Sequence, residues 1–280
     1  MVQDQILELL ARIGHQDDSE IDLADTALLL GALDLPERDL APYRDHLAQL
    51  VTEVSVAAVG ARTVEERVEA LRTVFYQHHG YDGDRDTYDD LENANLIHVI
   101  DRKKGLPVAL GILCIHMAEG AGWDLKGLNF PSHFLLRLEA PPERAILDPF
   151  DHCNSLDAAA IRARLQDMLG EGAEFDAGYF QPVPKRAILL RLQNNIKLRA
   201  LQADDTDQAL GVLGAMALIA PFEAPLFSEQ ALIYAHKGEI TTAIKVLTHF
   251  LDRDHASTRS TDEDFPEIQE LLKSLLARLN

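Results

Sequence analysis

The chain has 280 residues, 47% of them apolar, enough for a sizeable core spread over about two domains at roughly 150 residues each. Its 46 acidic and 26 basic residues give a formal charge of −20, which repels phosphate backbones and anionic lipid head groups and argues against nucleic acid or a membrane as partner. Two cysteines, Cys114 and Cys153, are too few for a disulfide framework. An acidic start over residues 1–5, with no apolar run of about 20 residues, predicts a cytoplasmic protein without a secretory signal.

Ile6, Leu9, Leu10 and Ile13 recur at helical spacing and residues 27–33 continue an apolar face, so residues 1–60 read as a helical segment closed by Gly60. Thr63-Val64-Glu65-Glu66 has the form of a capping box, and Val64, Val68, Leu71 and Phe75 follow on one face. Residues 80–93 read as an acidic, glycine-bearing loop, and 95–103 as a short helix ended by basic residues and Gly105. Residues 107–121 are apolar almost all round, which predicts a central buried helix with proline in its first turn, where the missing N–H costs nothing.

After Gly122 come short segments at 125–130, 133–138 and 144–147, read as strands of a small antiparallel sheet. Residues 185–254 return to helix. There Asp207-Gln208-Ala209-Leu210-Gly211-Val212-Leu213 is echoed by Thr241-Thr242-Ala243-Ile244-Lys245-Val246-Leu247 at an offset of 34 residues, the tetratricopeptide period. Ala209 and Ala243 are expected where paired helices cross closely, and Leu213 and Leu247 in the core between them. About two such units cannot bury their own ends, so they need the preceding domain or the last helix, 266–279, to pack on. Residues 255–264 read as a loose connection. The fold class is therefore α+β, with segments 1–60 (helical), 61–180 (a core with the buried helix and small sheet), 185–255 (all-α repeats) and 265–280 (a last helix).

Nucleophilic catalysis by cysteine needs a thiolate, a histidine to take its proton and a third group to orient the imidazole. A buried helix whose dipole favours the anion, with histidine and carboxylate on neighbouring strands, supplies that arrangement. His133 is expected to open one strand and Asp148 to close the next, fifteen residues on, where a hairpin pairs them.

Lys103-Lys104-Gly105-Leu106-Pro107, Gly127-Leu128-Asn129-Phe130-Pro131-Ser132-His133-Phe134 and Leu147-Asp148-Pro149-Phe150 resemble the signature segments of the SirB-type family, as Asp82-Gly83-Asp84-Arg85-Asp86-Thr87-Tyr88 resembles its loop before the buried helix. The resemblance covers about residues 60–255. It implies a transglutaminase-like (papain-like) central domain followed by tetratricopeptide-like repeats, with a related domain in certain F-box proteins. In active enzymes of that type, the resemblance implies, the cysteine stands two residues beyond a glycine at the helix start. That is position 107, where this chain has Pro107, while His133 and Asp148 fall on the expected histidine and aspartate positions.

Cys114, seven residues further along the helix, reads as a small core residue. Cys153 follows Asp148 by five residues, and a bend returning it to His133 would make it a displaced nucleophile. Ser132 is a poor partner for His133 because adjacent strand residues point to opposite faces. Asp82, Asp84 and Asp86 match the first ligands of a calcium loop, but Thr87 and Asn93 stand where glycine and glutamate are needed, so no metal is expected. His78, His79 and His98 lack zinc-site spacing, and without a GxxxxGK loop no cofactor is expected. The first functional expectation is a non-catalytic module that binds a protein or peptide through its repeats. The alternative is a cysteine-dependent hydrolase or acyl transferase using Cys153 with His133 and Asp148.

Overall fold

The computed structural model describes residues 3–131, 133–170, 176–256 and 265–279; the expectations for Ser132 and residues 257–264 fall outside them. The chain forms two compact units, residues 1–6 with 17–195 and residues 7–16 with 196–280. Helix α1 (Gln3–Ile13) contributes to both.

The first unit begins with α2 (Leu23–Ala32) and α3 (Ala41–Ala57), after which Gly60 turns the chain at a φ of +90°. Helix α4 (Val64–Arg72) starts at the capping box read from the sequence. Thr63 Oγ1 accepts the Glu66 N–H at 3.2 Å, and the Glu66 carboxylate accepts the Thr63 N–H at 3.0 Å. A π-helical turn over Thr73–His78 follows, which brings Val74, Phe75 and Tyr76 inward in succession.

The loop after it is more ordered than its composition suggests. Strand β1 (Asp82–Gly83) pairs in parallel with β2 (Lys104–Gly105), and Asn95 caps α5 (Leu96–Arg102) between them. Asp84 is 1% exposed and accepts from Thr87, at 2.6 Å, and from Arg102, at 2.9 Å. Burial pushes its carboxyl up, but the Thr87 hydroxyl and amide, then Asn93 and the Lys104 charge, prevail and hold it at about 2.

Helix α6 (Pro107–Gly120) is buried from Pro107 through Ile115, as its unbroken apolar sequence predicts, and packs against α2, α3 and the sheet. The sheet is a four-stranded antiparallel meander, β3 (Asp124–Gly127), β4 (Leu136–Ala140), β5 (Glu143–Asp148) and β6 (Asn154–Ser155). Helix α7 (Ala158–Leu169) presses Ile161 and Leu165 onto Leu128, Phe130 and Leu135. The arrangement is α+β.

In the second unit α9 (Thr206–Ile219), α10 (Ala224–His236), α11 (Ile240–Ala256) and α12 (Pro266–Ala277) follow the C-terminal part of α8 (Lys185–Gln202). Ala209, Leu213, Ala243 and Leu247 are all fully buried, and the Phe227, Phe250 and Phe265 rings pack in sequence, the first pair tilted and the second edge to face, with centroids 4.7 and 5.0 Å apart. Lys197, itself buried, pairs with Glu229 at 2.6 Å.

Candidate functional site

Asp148 ends β5 and caps the short helical turn Pro149–Asp151, whose Phe150 N–H donates to Asp148 Oδ1 at 2.9 Å. His133 Nε2 lies 3.1 Å from the same oxygen, and Arg164 Nη2 lies 2.7 Å from Oδ2. The carboxylate is 1% exposed, the His133 side chain 20%. Burial alone would raise the Asp148 carboxyl, but the His133 hydrogen bond and charge, then Arg164 and the Phe150 amide, hold it below the usual carboxylate range. Asp148 is therefore an anion fixed on both oxygens. With Nε2 turned to it, any proton exchange with a substrate falls to the other ring nitrogen of His133.

The structure brings together the two residues the sequence singled out, by a different route from the one expected. His133 does not open a strand. Its N–H turns back to the Pro131 carbonyl at 2.6 Å, the ladder starts only at Leu136, and His133 reaches Asp148 from the loop ahead of β4. Phe134, next to it, is clamped between glycines. A Cβ on Gly111 of α6 would meet the Phe134 ring at Cδ1, 2.7 Å away, and one on Gly127 of β3 would meet it at 2.6 Å. This clamp ties the His133 segment to α6 one turn beyond Pro107. Arg164 escaped sequence reading because nothing near it in the chain announces a buried carboxylate; it projects beside Leu165, which α7 buries.

Pro107 occupies the first position of α6, is buried, and carries no ionisable group. Cys153 does not return to His133. Its sulfur lies 3.3 Å from Tyr76 Oη and 3.7 Å from Cys114 Sγ, and both thiols have zero exposure. The cause is the left-handed backbone at His152 and Cys153, with φ of 49° and 52°, which turns the thiol into the core. Burial first, and then the neighbouring Cys153, pushes the Cys114 thiol well above its usual range. Burial likewise pushes Tyr76 up, so it stays a phenol whose O–H donates to the Pro149 carbonyl at 2.8 Å.

A second histidine–carboxylate contact stands nearby. His152 Nε2 lies 3.0 Å from Asp82 Oδ1, which also receives Arg85 at 3.1 Å, while Arg85 donates to the Phe150 carbonyl at 2.7 Å and covers its ring. Carboxylates of the acidic loop thus meet arginine, lysine, histidine, hydroxyl and backbone partners. Among the described residues no group of three or more metal-ligating side chains converges, and no helix is long and apolar enough to cross a membrane. The assembled site holds an imidazole with its orienting anion. Bond-making through a covalent intermediate needs a nucleophile besides.

Residues 41–194, more than half of the chain, match the family model described as the transglutaminase-like superfamily. Over 272 residues the chain is 29% identical to a UPF0162 protein of Xylella fastidiosa (strain Temecula1), covering 94% of each. Over 238 residues it is 30% identical to a UPF0162 protein of Vibrio cholerae, covering 85% of this chain and 88% of that one. A 178-residue stretch is 29% identical to F-box only protein 21 of Mus musculus, covering 61% of this chain and 28% of that protein. The buried helix, the sheet behind it and the His133–Asp148 pair all lie inside the matched segment, and by that match and these identities the chain belongs to the UPF0162 family of the transglutaminase-like superfamily.

Proposed function

We propose that this chain is a non-catalytic transglutaminase-like protein that binds a protein or peptide partner through its C-terminal helices. The observation that carries the proposal is the state of the thiols. Pro107 stands where the family's nucleophile is expected, and Cys114 and Cys153, the two cysteines of the chain, are at zero exposure with their sulfurs on each other and on Tyr76. A thiol in that setting does not reach a substrate. The His133–Asp148–Arg164 cluster is then a structural tie between α7, β5 and the loop before β4, expensive to break one member at a time.

The second unit supplies the binding reading. Its helices α9 and α11 begin at Thr206 and Ile240, in step with the 34-residue sequence echo, and the small and large residues of the echo are buried in pairs. Stacked helical hairpins of tetratricopeptide type present an exposed face to peptides or helices. Leu198 and Leu232 are 47% and 55% exposed, large apolar side chains of the kind that anchor such a partner. The test is affinity capture with the intact protein and with Leu198→Asp and Leu232→Asp, quantified by mass spectrometry and checked for fold by circular dichroism. A partner captured by the parent chain and lost with either folded variant is the expected result. Identical capture profiles for parent, variants and an unrelated control would overturn the proposal.

A further inference from the structure

Cys114 on α6 and Cys153 on the turn after β5 are 39 residues apart in the chain, yet their sulfurs meet at 3.7 Å in the core of the first unit. Tyr76 completes the cluster. Its O–H is committed to the Pro149 carbonyl at 2.8 Å, so its oxygen is left to accept the Cys153 S–H at 3.3 Å, and the Cys153 sulfur to accept from Cys114. The two sulfurs face each other with no backbone between them, and a disulfide would need them to close to about 2.05 Å.

We infer that Cys114 and Cys153 form a peroxide-oxidisable dithiol whose disulfide ties α6 to the turn that carries Asp148. The movement needed falls on a segment already away from its relaxed backbone, because His152 and Cys153 are consecutive non-glycine residues with φ of 49° and 52°. The Cys153 N–H also closes the turn on the Asp148 carbonyl at 2.8 Å, so the cross-link would sit directly behind the His133 partner. Hydrogen peroxide or a small organic hydroperoxide is the oxidant. The Cys153 sulfur attacks one peroxide oxygen; the S–O bond forms, the O–O bond breaks, and the thiol proton leaves with the other oxygen as water or alcohol. The Cys114 sulfur then attacks the sulfenyl sulfur; the S–S bond forms, the S–O bond breaks, and the hydroxyl departs with the Cys114 proton as water. Two thiols are oxidised by two electrons and one peroxide is reduced. Full burial makes the first step slow and restricts it to small oxidants.

The inference shares the buried thiols with the proposed function, but the binding test acts on Leu198 and Leu232, so the failure of one is distinguishable from the failure of the other. Its test is intact-mass analysis of the folded full-length protein after hours in millimolar hydrogen peroxide, followed by alkylation in denaturant and peptide mapping. The expected result is a monomer lighter by about 2 Da, with both cysteines protected from alkylation and the peptides containing Cys114 and Cys153 joined until reduced. In Cys114→Ser the resolving thiol is absent, and a dione probe for sulfenic acid, present as the oxidised protein is unfolded, should label Cys153. Two results would overturn the inference: both thiols still free when the same chain in denaturant has been oxidised, or oxygen-addition products and intermolecular dimers in place of the internal bond. The parent-chain measurement decides even if the serine variant does not fold.

Discussion

Replacing Gly111 by alanine probes the link between the buried helix and the histidine. In an exposed helix interior this change stabilises by about 1 kcal/mol, since alanine loses less backbone freedom on folding. Here the new Cβ would meet the Phe134 ring, with Cδ1 at 2.7 Å, and the ring cannot retreat because its far edge already lies where a Cβ on Gly127 would be 2.6 Å away. Phe134 is 1% exposed, so there is no solvent side to yield into. Overpacking of this kind costs about 2–3 kcal/mol, leaving a net loss of about 1–2 kcal/mol and a fall in Tm of about 3–6 °C. The assay is thermal unfolding followed by circular dichroism, with Phe134→Leu and the double variant completing a cycle. The smaller side chain should restore part of what Gly111→Ala loses, a coupling of at least about 0.5 kcal/mol. A Gly111→Ala protein with raised Tm, or strict additivity in the double variant, would refute the clamp.

Arg164→Gln leaves the Asp148 carboxylate buried with His133 and one amide as partners. It should destabilise by about 1–3 kcal/mol in urea unfolding at pH 7, less than a wholly buried pair because Arg164 is 31% exposed. Because the Asp148 carboxyl is held below its usual range, its contribution is fully present above the unfolded value of about 3.9 and fades as pH falls through the lower folded value. Asp148→Asn should therefore flatten the acid limb of the stability curve, and an unchanged limb would count against the ion pair. His46 has the opposite chemistry with the same direction in pH. Burial, then the Lys103 and His79 charges, hold it at about 4, so the unfolded chain binds a proton below about pH 6.5 that the folded chain refuses. Stability should fall between about pH 6.5 and 4 by about 1–2 kcal/mol, a figure reduced for its partial exposure, and His46→Gln should remove that part of the slope in calorimetry.

Features that one segment specifies by itself were legible in the sequence. Helix α6 announced itself because residues 107–115 are apolar on every face, the start of α4 because capping-box donors and acceptors lie three residues apart, and the His133–Asp148 pair because its flanking motifs are distinctive. Features that depend on distant partners were not. Strand β1 is two residues long and exists because Lys104–Gly105 lies beside it, a pairing that no local pattern encodes. His133 heads the short segment 133–138, which reads as a strand, whereas its own N–H closes on Pro131 and leaves the ladder. Cys153 stands five residues after Asp148, a spacing that leaves open a bend towards His133. Two left-handed residues reversed it towards Cys114, and backbone of that sign at histidine and cysteine has no sequence signature.

The central claim is that no thiol is available to the His133–Asp148 pair, and it is tested most directly by alkylation of the native protein with iodoacetamide at neutral pH, followed by mass spectrometry against the same chain in denaturant. The account predicts an unlabelled native protein over the time in which the unfolded chain takes up two labels. Rapid single labelling of native Cys153, slowed by His133→Ala, would contradict it.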